Sequence, residues 1–271
     1  MVRLIATDMD GTLLNSNHEI PKDFKETIEA LKERDIMFAI STGRNYLDIV
    51  YKFDDYKEEL LFICENGTAI YHKNECIYSK FLEKGTIEEL VNIGRRVDDA
   101  YPMLCGTKGL YLEDDKALEL LNIHFPMNVP VIKVDSLLDV EDGIFKVNMF
   151  DLDNAETNSY SIFKNENIEN VTLTPSGKYW LDMSSKGTNK GVAIKKVQDM
   201  FNISYDETMV FGDHLNDLEM MKSAYHSYAM KNGHEDVKEV ANFETKYTNE
   251  ECGVTKTIKE EVINKKELAI Q

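Results

Sequence analysis

The segment Asp8-Met9-Asp10-Gly11-Thr12 places two carboxylates two residues apart, directly after the apolar run Val2 to Ala6. Such a run is typical of a buried strand. One carboxylate can act as a nucleophile, while its neighbour gives a proton to a leaving oxygen and later takes one from water. Glycine at position 11 permits the sharp turn that would bring both groups to one site. The alternative is a purely structural role, in which the strand ends in an Asp-capped turn.

Two further apolar runs end in polar residues that could join this pair. Thr42 follows the run Ile36 to Ile40, and Asp213 follows the run Met209 to Phe211. Lys190 stands at the start of a predicted helix, where free N–H groups and positive partial charge favour an anion. Ligands of open parallel sheets bind beyond the carboxyl ends of the strands. We therefore expect these groups to converge, although they are far apart in sequence.

A carboxylate that attacks a phosphate monoester needs positive charge close by. Two unit charges about 3.5 Å apart repel by roughly 5 kcal/mol at an effective dielectric constant near 20, and a dianion roughly doubles this. One lysine and one Mg²⁺ ion together would supply three positive charges. Asp8 and Asp213 offer the hard oxygen ligands that Mg²⁺ prefers. The pattern therefore predicts Mg²⁺ as the cofactor.

The order of predicted elements indicates how these residues are positioned. Strands and helices alternate near the start of the chain and again after Thr188, which predicts a parallel sheet with helices on its faces. Between them, adjacent strand pairs predict an inserted α+β unit. We predict a catalytic core over residues 1–83 and 186–271 and an inserted domain over 84–185. Helices are also predicted over Asn154 to Asn165 and over the charged tail Val254 to Ala269.

Four segments, in order, resemble the four motifs of the haloacid dehalogenase superfamily. They are Asp8-Met9-Asp10-Gly11-Thr12, Ser41-Thr42-Gly43-Arg44, Lys190-Gly191 and Gly212-Asp213-His214-Leu215-Asn216-Asp217. The large insert resembles the cap of the Cof-type phosphatases, and Glu65-Asn66-Gly67 is similar to the same group. The resemblance implies a doubly wound, Rossmann-like α/β core with an inserted α+β cap that governs substrate specificity.

The same resemblance implies an aspartyl-phosphate mechanism. Asp8 would attack phosphorus and bind magnesium, and Asp10 would be the acid and base, with its backbone carbonyl on the metal. Thr42 would hydrogen-bond a phosphoryl oxygen, Lys190 would neutralise the transferring group, and Asp213 would be a magnesium ligand.

Further roles are implied for residues around this centre. Asn216 would contact phosphate, and Asp217 would orient Lys190 or a metal-bound water. Gly43, Arg44 and Asn66 would lie on the phosphate or substrate side.

Three residues depart from the family pattern or stand out. His214 replaces a small or amide residue; it could tune pH dependence near the metal, although a surface histidine is the simpler interpretation. Cys64 fits a buried strand better than a second nucleophile. Trp180, the sole tryptophan, could line a cleft or pack within the insert.

The composition excludes several classes of partner. A net charge of −18 and a pI of about 4.8 argue against binding nucleic acid or an anionic membrane. No run approaches the roughly 20 apolar residues of a membrane helix, and nothing after Met1 resembles a signal peptide. The four cysteines form no metal-binding or disulfide pattern, which favours reduced thiols and a cytoplasmic location. No obligate protein partner is implied.

The leading hypothesis is a phosphomonoester hydrolase for small metabolites, with sugar phosphates first and nucleotides or phosphorylated cofactors such as flavin mononucleotide or pyridoxal phosphate next. Asp10 argues against a dehalogenase, because a leaving halide needs no proton. A sugar phosphomutase would need a second phosphate clamp, and the insert's arginines, Arg95 and Arg96, are adjacent and face different directions on a helix. A binding module without turnover is the non-enzymatic alternative, although every motif residue is present.

Overall fold

The computed structural model describes residues 1–124, 128–166, 168–176 and 178–264. Its strands are β1 (Leu4–Asp8), β2 (Met37–Ser41), β3 (Leu60–Cys64), β4 (Ala69–His72), β5 (Glu75–Ser79), β6 (Ala100–Gly106), β7 (Leu110–Leu112), β8 (Val131–Lys133), β9 (Ile144–Asp151), β10 (Val171–Pro175), β11 (Trp180–Ser185), β12 (Thr208–Gly212), β13 (His226–Ala229) and β14 (Phe243–Glu244). Its helices are α1 (Phe24–Lys32), α2 (Tyr46–Ile49), α3 (Lys84–Gly94), α4 (Asp115–His124), α5 (Ser159–Phe163), α6 (Lys190–Phe201), α7 (Leu218–Met221), α8 (Glu235–Val240) and α9 (Gly253–Ile258).

The larger sheet has the strand order β14-β13-β12-β1-β2-β3-β4-β5. Its strands from β14 to β3 run parallel, whereas β4 is antiparallel to β3. Every residue of β1, β3 and β12 is buried, as expected for strands that helices cover on both faces. Their carboxyl ends lie side by side: Asp8 is opposite Ser41, and Thr7 is opposite Phe211.

The helices of this sheet follow the apolar periodicity of the sequence. In α1, Phe24, Thr27, Ile28 and Leu31 are buried at helical spacing. The Phe24 ring meets Phe38 of β2 edge-on at a centroid distance of 5.8 Å. This contact anchors the helix on the sheet.

The chain separates into two compact units. The first contains Met1–Arg44, Asp54–Ile77 and the chain from Asn189 onwards, and the second contains Asn45–Phe53 and Tyr78–Thr188. In the second unit, the Asn45 side chain donates to the Gly106 carbonyl at 3.5 Å, which ties the short segment to the insert. The domain boundaries expected from the sequence stay a prediction.

The second unit is built on a sheet with the order β10-β11-β9-β6-β7-β8. Its pairs are antiparallel except for β7 and β8, which are parallel. One face packs into an apolar cluster with α3 and α5, which includes Leu90, Val147, Phe163 and Leu181. The other face carries a smaller cluster that includes Met103 and Phe150.

The predicted fold class, a doubly wound parallel-sheet core with an α+β insert, is confirmed by the two sheets. The hairpin of β4 and β5 was not predicted. The helix predicted over Asn154 to Asn165 is shorter, because Asn154 Oδ1 accepts the Glu156 N–H at 3.0 Å in a turn and Asn158 has non-helical backbone angles.

The helix predicted for the tail, Val254 to Ala269, is found in part. It comprises α9 followed by a π-helical turn over Lys259–Ile263, and residues 265–269 lie outside the described part of the chain. Across the residues that the structure describes, no helix combines the length and apolarity needed to span a bilayer.

Candidate active site

Asp8 ends β1 and begins a tight turn. Its carbonyl accepts the Thr7 hydroxyl at 2.8 Å and the Leu13 N–H at 3.3 Å. Gly11 in this turn has φ = +82°, and a Cβ there would lie 2.4 Å from Asp213 Oδ2. Glycine is therefore required twice, for the left-handed backbone and for the close approach of the second carboxylate. This turn brings the predicted Asp8 and Asp213 to one place.

Lys190 is completely buried between two carboxylates. Its Nζ donates to Asp8 Oδ1 at 2.5 Å and to Asp217 Oδ1 at 2.6 Å. Burial alone would lower the lysine pKa, but the charges of Asp217 and Asp8 outweigh it and raise the pKa above its usual value. Asn189 caps α6 by accepting the Val192 N–H at 2.8 Å, so Lys190 is held in the first turn. The ammonium group is a fixed positive charge at this site.

Three carboxylates crowd around this single lysine. One oxygen each of Asp8, Asp213 and Asp217 lies within 4.8 Å of the others. Burial raises the pKa of Asp8, opposed chiefly by Lys190, and burial also raises the pKa of Asp213, opposed by the hydrogen bond from Thr12. That bond joins Thr12 Oγ1 to Asp213 Oδ1 at 2.7 Å. Hard oxygen donors with an excess of negative charge suit a divalent cation such as Mg²⁺.

Asp217 organises the loop that follows β12. Its Oδ2 accepts the backbone N–H groups of Asp213 at 2.9 Å and His214 at 3.1 Å, while Oδ1 accepts Lys190. A Cβ at Gly212 would lie 2.6 Å from the Asp217 Cβ. The expected contact with Lys190 is present. Sequence reasoning did not place Asp217 among the carboxylates that could hold the metal.

The Asp10 side chain bonds with residues outside the three-carboxylate cluster. Arg44 donates to both of its oxygens, from Nε at 2.9 Å and from Nη2 at 2.8 Å. His18 Nδ1 lies 3.3 Å from Asp10 Oδ1. Arg44 was expected on the substrate side, and its bidentate bond to Asp10 was missed. The bond follows from the register that places Asp8 opposite Ser41, which the sequence alone does not give. The Asp10 carbonyl as a metal ligand stays a prediction.

The remaining predicted residues also lie together. Asn66, with φ = +53°, donates its N–H to the Thr42 carbonyl at 3.0 Å. Asn216 Nδ2 donates to Asn66 Oδ1 at 3.1 Å. A Cβ at Gly43 would lie 3.1 Å from Asn66 Nδ2. Thr42 Oγ1 accepts the Arg44 N–H at 3.2 Å. These contacts form a polar rim of hydroxyl and amide groups suited to an oxyanion.

The three residues that depart from the family pattern or stand out in the sequence make ordinary contacts. The His214 ring lies 6.2 Å from the His234 ring. The Cys64 thiol is buried, and burial raises its pKa, which disfavours the nucleophilic thiolate. Trp180 stacks on Phe150 at a centroid distance of 5.0 Å within the second unit.

The fold and the acidic cluster together define an α/β protein with a candidate divalent-cation site at the carboxyl edge of its sheet. A family model described as haloacid dehalogenase-like hydrolase matches residues 5–258. The chain therefore belongs to this family, as one of its Cof-type phosphatases.

Similar proteins span nearly the whole chain. Phosphatase YwpJ of Bacillus subtilis is 27% identical and covers 95% of this chain and 99% of its own. The 5-amino-6-(5-phospho-D-ribitylamino)uracil phosphatase YitU of the same organism is 26% identical and covers 95% of this chain and 96% of its own. The crystal structure of SMU.1108c from Streptococcus mutans UA159 is 32% identical, has a TM-score of 0.83, and covers 96% of this chain and 98% of its own.

Proposed function

We propose that this phosphatase hydrolyses small phosphomonoesters with Mg²⁺ and through an aspartyl-phosphate at Asp8. The observation that carries the proposal is the cluster of Asp8, Asp213 and Asp217 around the buried Lys190. A nucleophile, a fixed ammonium group and hard oxygen ligands stand within hydrogen-bonding or coordination reach of one another.

Asp8 and Asp213, with the carbonyl of Asp10, would hold the magnesium ion. When bound, the ion would offset the negative charge that the phosphate adds to the three carboxylates. Lys190 adds a permanent positive charge, which its raised pKa maintains across the physiological range.

The first step makes one P–O bond and breaks another. An oxygen of Asp8 attacks phosphorus, the ester P–O bond breaks, and the leaving oxygen takes a proton from Asp10. In the second step Asp10 takes a proton from water, which attacks the aspartyl-phosphate and releases inorganic phosphate and free Asp8. Arg44 holds the Asp10 carboxyl in place through two hydrogen bonds.

The polar rim would bind the phosphoryl oxygens. Thr42 offers a hydroxyl, and Asn216 and Asn66 offer amide groups next to Gly43. Arg44, which we predict on the substrate side, also holds the Asp10 carboxyl in place. The absence of a Cβ at Gly43 leaves room for the Asn66 amide.

The arginines considered for a mutase clamp are already engaged. Arg95 donates to both Glu113 oxygens at 2.7 and 2.8 Å, and an Arg96 nitrogen lies 3.6 Å from Glu166. This supports a monophosphatase over a sugar phosphomutase, which needs a second phosphate site.

The physiological substrate that we expect is a sugar or polyol phosphate. A relative over the whole chain, YitU, is named for a ribityl phosphate substrate. We keep the prediction that residues 84–185 form a cap that selects the substrate, that no nucleic acid, membrane or obligate protein partner takes part, and that the protein is cytoplasmic.

The proposal can be tested by measuring phosphate release from about a hundred phosphorylated metabolites. Each compound is assayed once with Mg²⁺ and once with a chelator. We expect release that depends on Mg²⁺ and no requirement for a bisphosphate activator. Isomerisation without free phosphate would instead identify a mutase, and no release from any compound would leave only a binding module.

A further inference from the structure

The chain that leaves β13 contacts the end of β12 at two places. The Met230 N–H donates to the Gly212 carbonyl at 2.9 Å. The His234 N–H donates to the Asp213 carbonyl at 2.8 Å. A Cβ at Gly233 would lie 3.3 Å from Asp213 Cα, so the two stretches of backbone pack closely against each other. This segment therefore holds the main chain of a proposed magnesium ligand.

One side chain of the same segment reaches the turn that carries Asp10. Asn232 Nδ2 donates to the Gly11 carbonyl at 2.8 Å, although the two residues are 221 positions apart in sequence. Glycine has the widest choice of backbone angles, so a bond to its carbonyl from outside helps to set the direction of this peptide group. The peptide group leads to Thr12, whose Oγ1 donates to Asp213 Oδ1 at 2.7 Å.

The Asn232 amide is itself held in one orientation. Its Oδ1 accepts the Asn249 N–H at 3.0 Å. Because a carbonyl only accepts and an N–H only donates, the two bonds fix which end of the amide faces Gly11. Asn249 Nδ2 in turn donates to the Leu14 carbonyl at 3.0 Å. Two neighbouring asparagine side chains therefore hold the turn at two points.

The bond from Asn232 matters for its direction more than for stability. Asn232 is exposed, and a hydrogen bond at an exposed place competes with water, so it contributes little to the stability of the fold. Its geometric effect is specific, because the segment that bonds to the Asp213 carbonyl also bonds to the Gly11 carbonyl. One short segment thus sets the Asp10 turn and Asp213 relative to each other.

We propose that Asn232 is a positioning residue of the magnesium site, because it fixes the Asp10 turn against Asp213. The inference rests on the proposed function, in which Asp8, Asp213 and the Asp10 carbonyl hold the ion. Residues that orient metal ligands without touching the ion typically change the metal affinity about 10–100-fold when they are replaced. Asn232 bonds to the carbonyl that directly follows the Asp10 carbonyl along the chain.

A comparison of two ions separates positioning from stability. Mg²⁺ demands nearly ideal octahedral geometry, whereas Ca²⁺ accepts irregular sets of oxygen ligands at longer distances. If Asn232 sets the geometry of the ligands, its loss should weaken the binding of Mg²⁺ more than the binding of Ca²⁺. A residue that only stabilises the fold would weaken the binding of both ions alike.

The experiment measures ion binding to the full chain without substrate. Mn²⁺ is bound first, its free concentration is followed by electron paramagnetic resonance, and Mg²⁺ or Ca²⁺ is titrated in to displace it. The variant is Asn232→Ala, and Asp213→Asn reveals any binding elsewhere on this acidic chain. The matched control is Asn242→Ala, which also removes an exposed asparagine amide bonded to a carbonyl, that of Tyr225 at 2.8 Å.

We expect Asn232→Ala to raise the Kd for Mg²⁺ about 10–100-fold and the Kd for Ca²⁺ by clearly less. Asn249→Ala, which removes the bond to the Leu14 carbonyl, should shift the ratio of the two Kd values in the same direction and serves as a second variant. Asn242→Ala should change neither Kd. An unchanged Kd for Mg²⁺ in both variants, or an equal rise for the two ions, would overturn the proposal.

Phosphate release by the same samples separates this inference from the proposed function. If the native chain binds Mg²⁺ and Asn232→Ala weakens it as expected, but no phosphomonoester is hydrolysed, the phosphatase proposal fails and the positioning role stands. If hydrolysis depends on Mg²⁺ and Asn232→Ala keeps the native Kd for Mg²⁺, only the positioning role fails. A native chain from which Mg²⁺ displaces no Mn²⁺ would refute both.

Discussion

Lys190 and Lys146 both pair with aspartate beside a sheet, yet Lys190 is completely buried whereas the Lys146 side chain is 13% exposed. Lys190 has three carboxylates in its cluster, and burial raises the pKa of two of them, Asp8 and Asp213. Lys146 pairs with Asp182 at 3.0 Å. The excess of carboxylates indicates that the first cluster needs additional positive charge, as a metal would supply.

The largest effect should come from the nucleophile of the first cluster. Asp8→Asn keeps the size of the side chain but removes its nucleophilic oxygen, so we expect kcat to fall on the order of 10⁴-fold or more. Steady-state phosphate release measures this, with circular dichroism to verify the fold. Activity close to that of the native chain would remove Asp8 from the mechanism.

Replacing each lysine in turn compares how much the two lysines contribute to the stability of the fold. Lys190→Met leaves two buried carboxylates without their partner and should cost about 3–5 kcal/mol of unfolding free energy. Lys146→Met should cost only about 1–2 kcal/mol, because one carboxylate loses one donor at a partly exposed place. Urea unfolding at pH 7 with a chelator measures both, and equal losses would contradict the comparison.

Metal dependence should be confined to the first cluster. Asp213→Asn removes an anionic ligand, so the Mg²⁺ concentration for half-maximal activity should rise about 100-fold or more. Asp182→Asn, the same change in the second unit, should leave the Mg²⁺ requirement where it is. A flat metal titration for the Asp213 variant would argue against a shared ion.

A smaller effect is expected at Asp142, whose neighbours are neutral donors instead of carboxylates. Burial would raise its pKa, but hydrogen bonds from the Thr107 and Tyr111 hydroxyls and from the N–H groups of Lys108 and Gly143 outweigh it and lower the pKa. Burial and the bond to Asp142 raise the pKa of Tyr111 to about 12. Asp142→Asn should cost about 2 kcal/mol near pH 7.

The sign of the pH dependence follows from the lowered pKa. A carboxyl whose pKa is lower in the folded state stabilises the fold above its unfolded pKa of 3.8, and this contribution disappears as the pH falls through the folded value. The difference in stability between the native chain and Asp142→Asn should therefore shrink below pH 3.8. Urea unfolding across a pH series checks this, and a constant difference would show that the carboxylate charge is unimportant.

Part of the candidate active site was predictable, because parallel sheets follow one simple rule. Polar residues that follow buried strands must meet at the carboxyl edge, whatever the length of chain between them. Asp8, Asp213 and Lys190 were therefore expected together, and the structure brings them together. The family resemblance added the contact between Lys190 and Asp217, which is also present.

Other contacts depended on information that a single strand does not carry. The bond between Arg44 and Asp10 follows from the register of β1 against β2, and the group of Lys146, Asn148 and Asp182 follows from the register of β9 against β11. Periodicity tells which face a residue occupies but not which residue lies opposite it. The sequence by itself thus determined the fold class and which polar residues meet at the carboxyl edge of the sheet. The partner of Asp10 and the group of Lys146, Asn148 and Asp182 were decided by the pairing of strands in three dimensions.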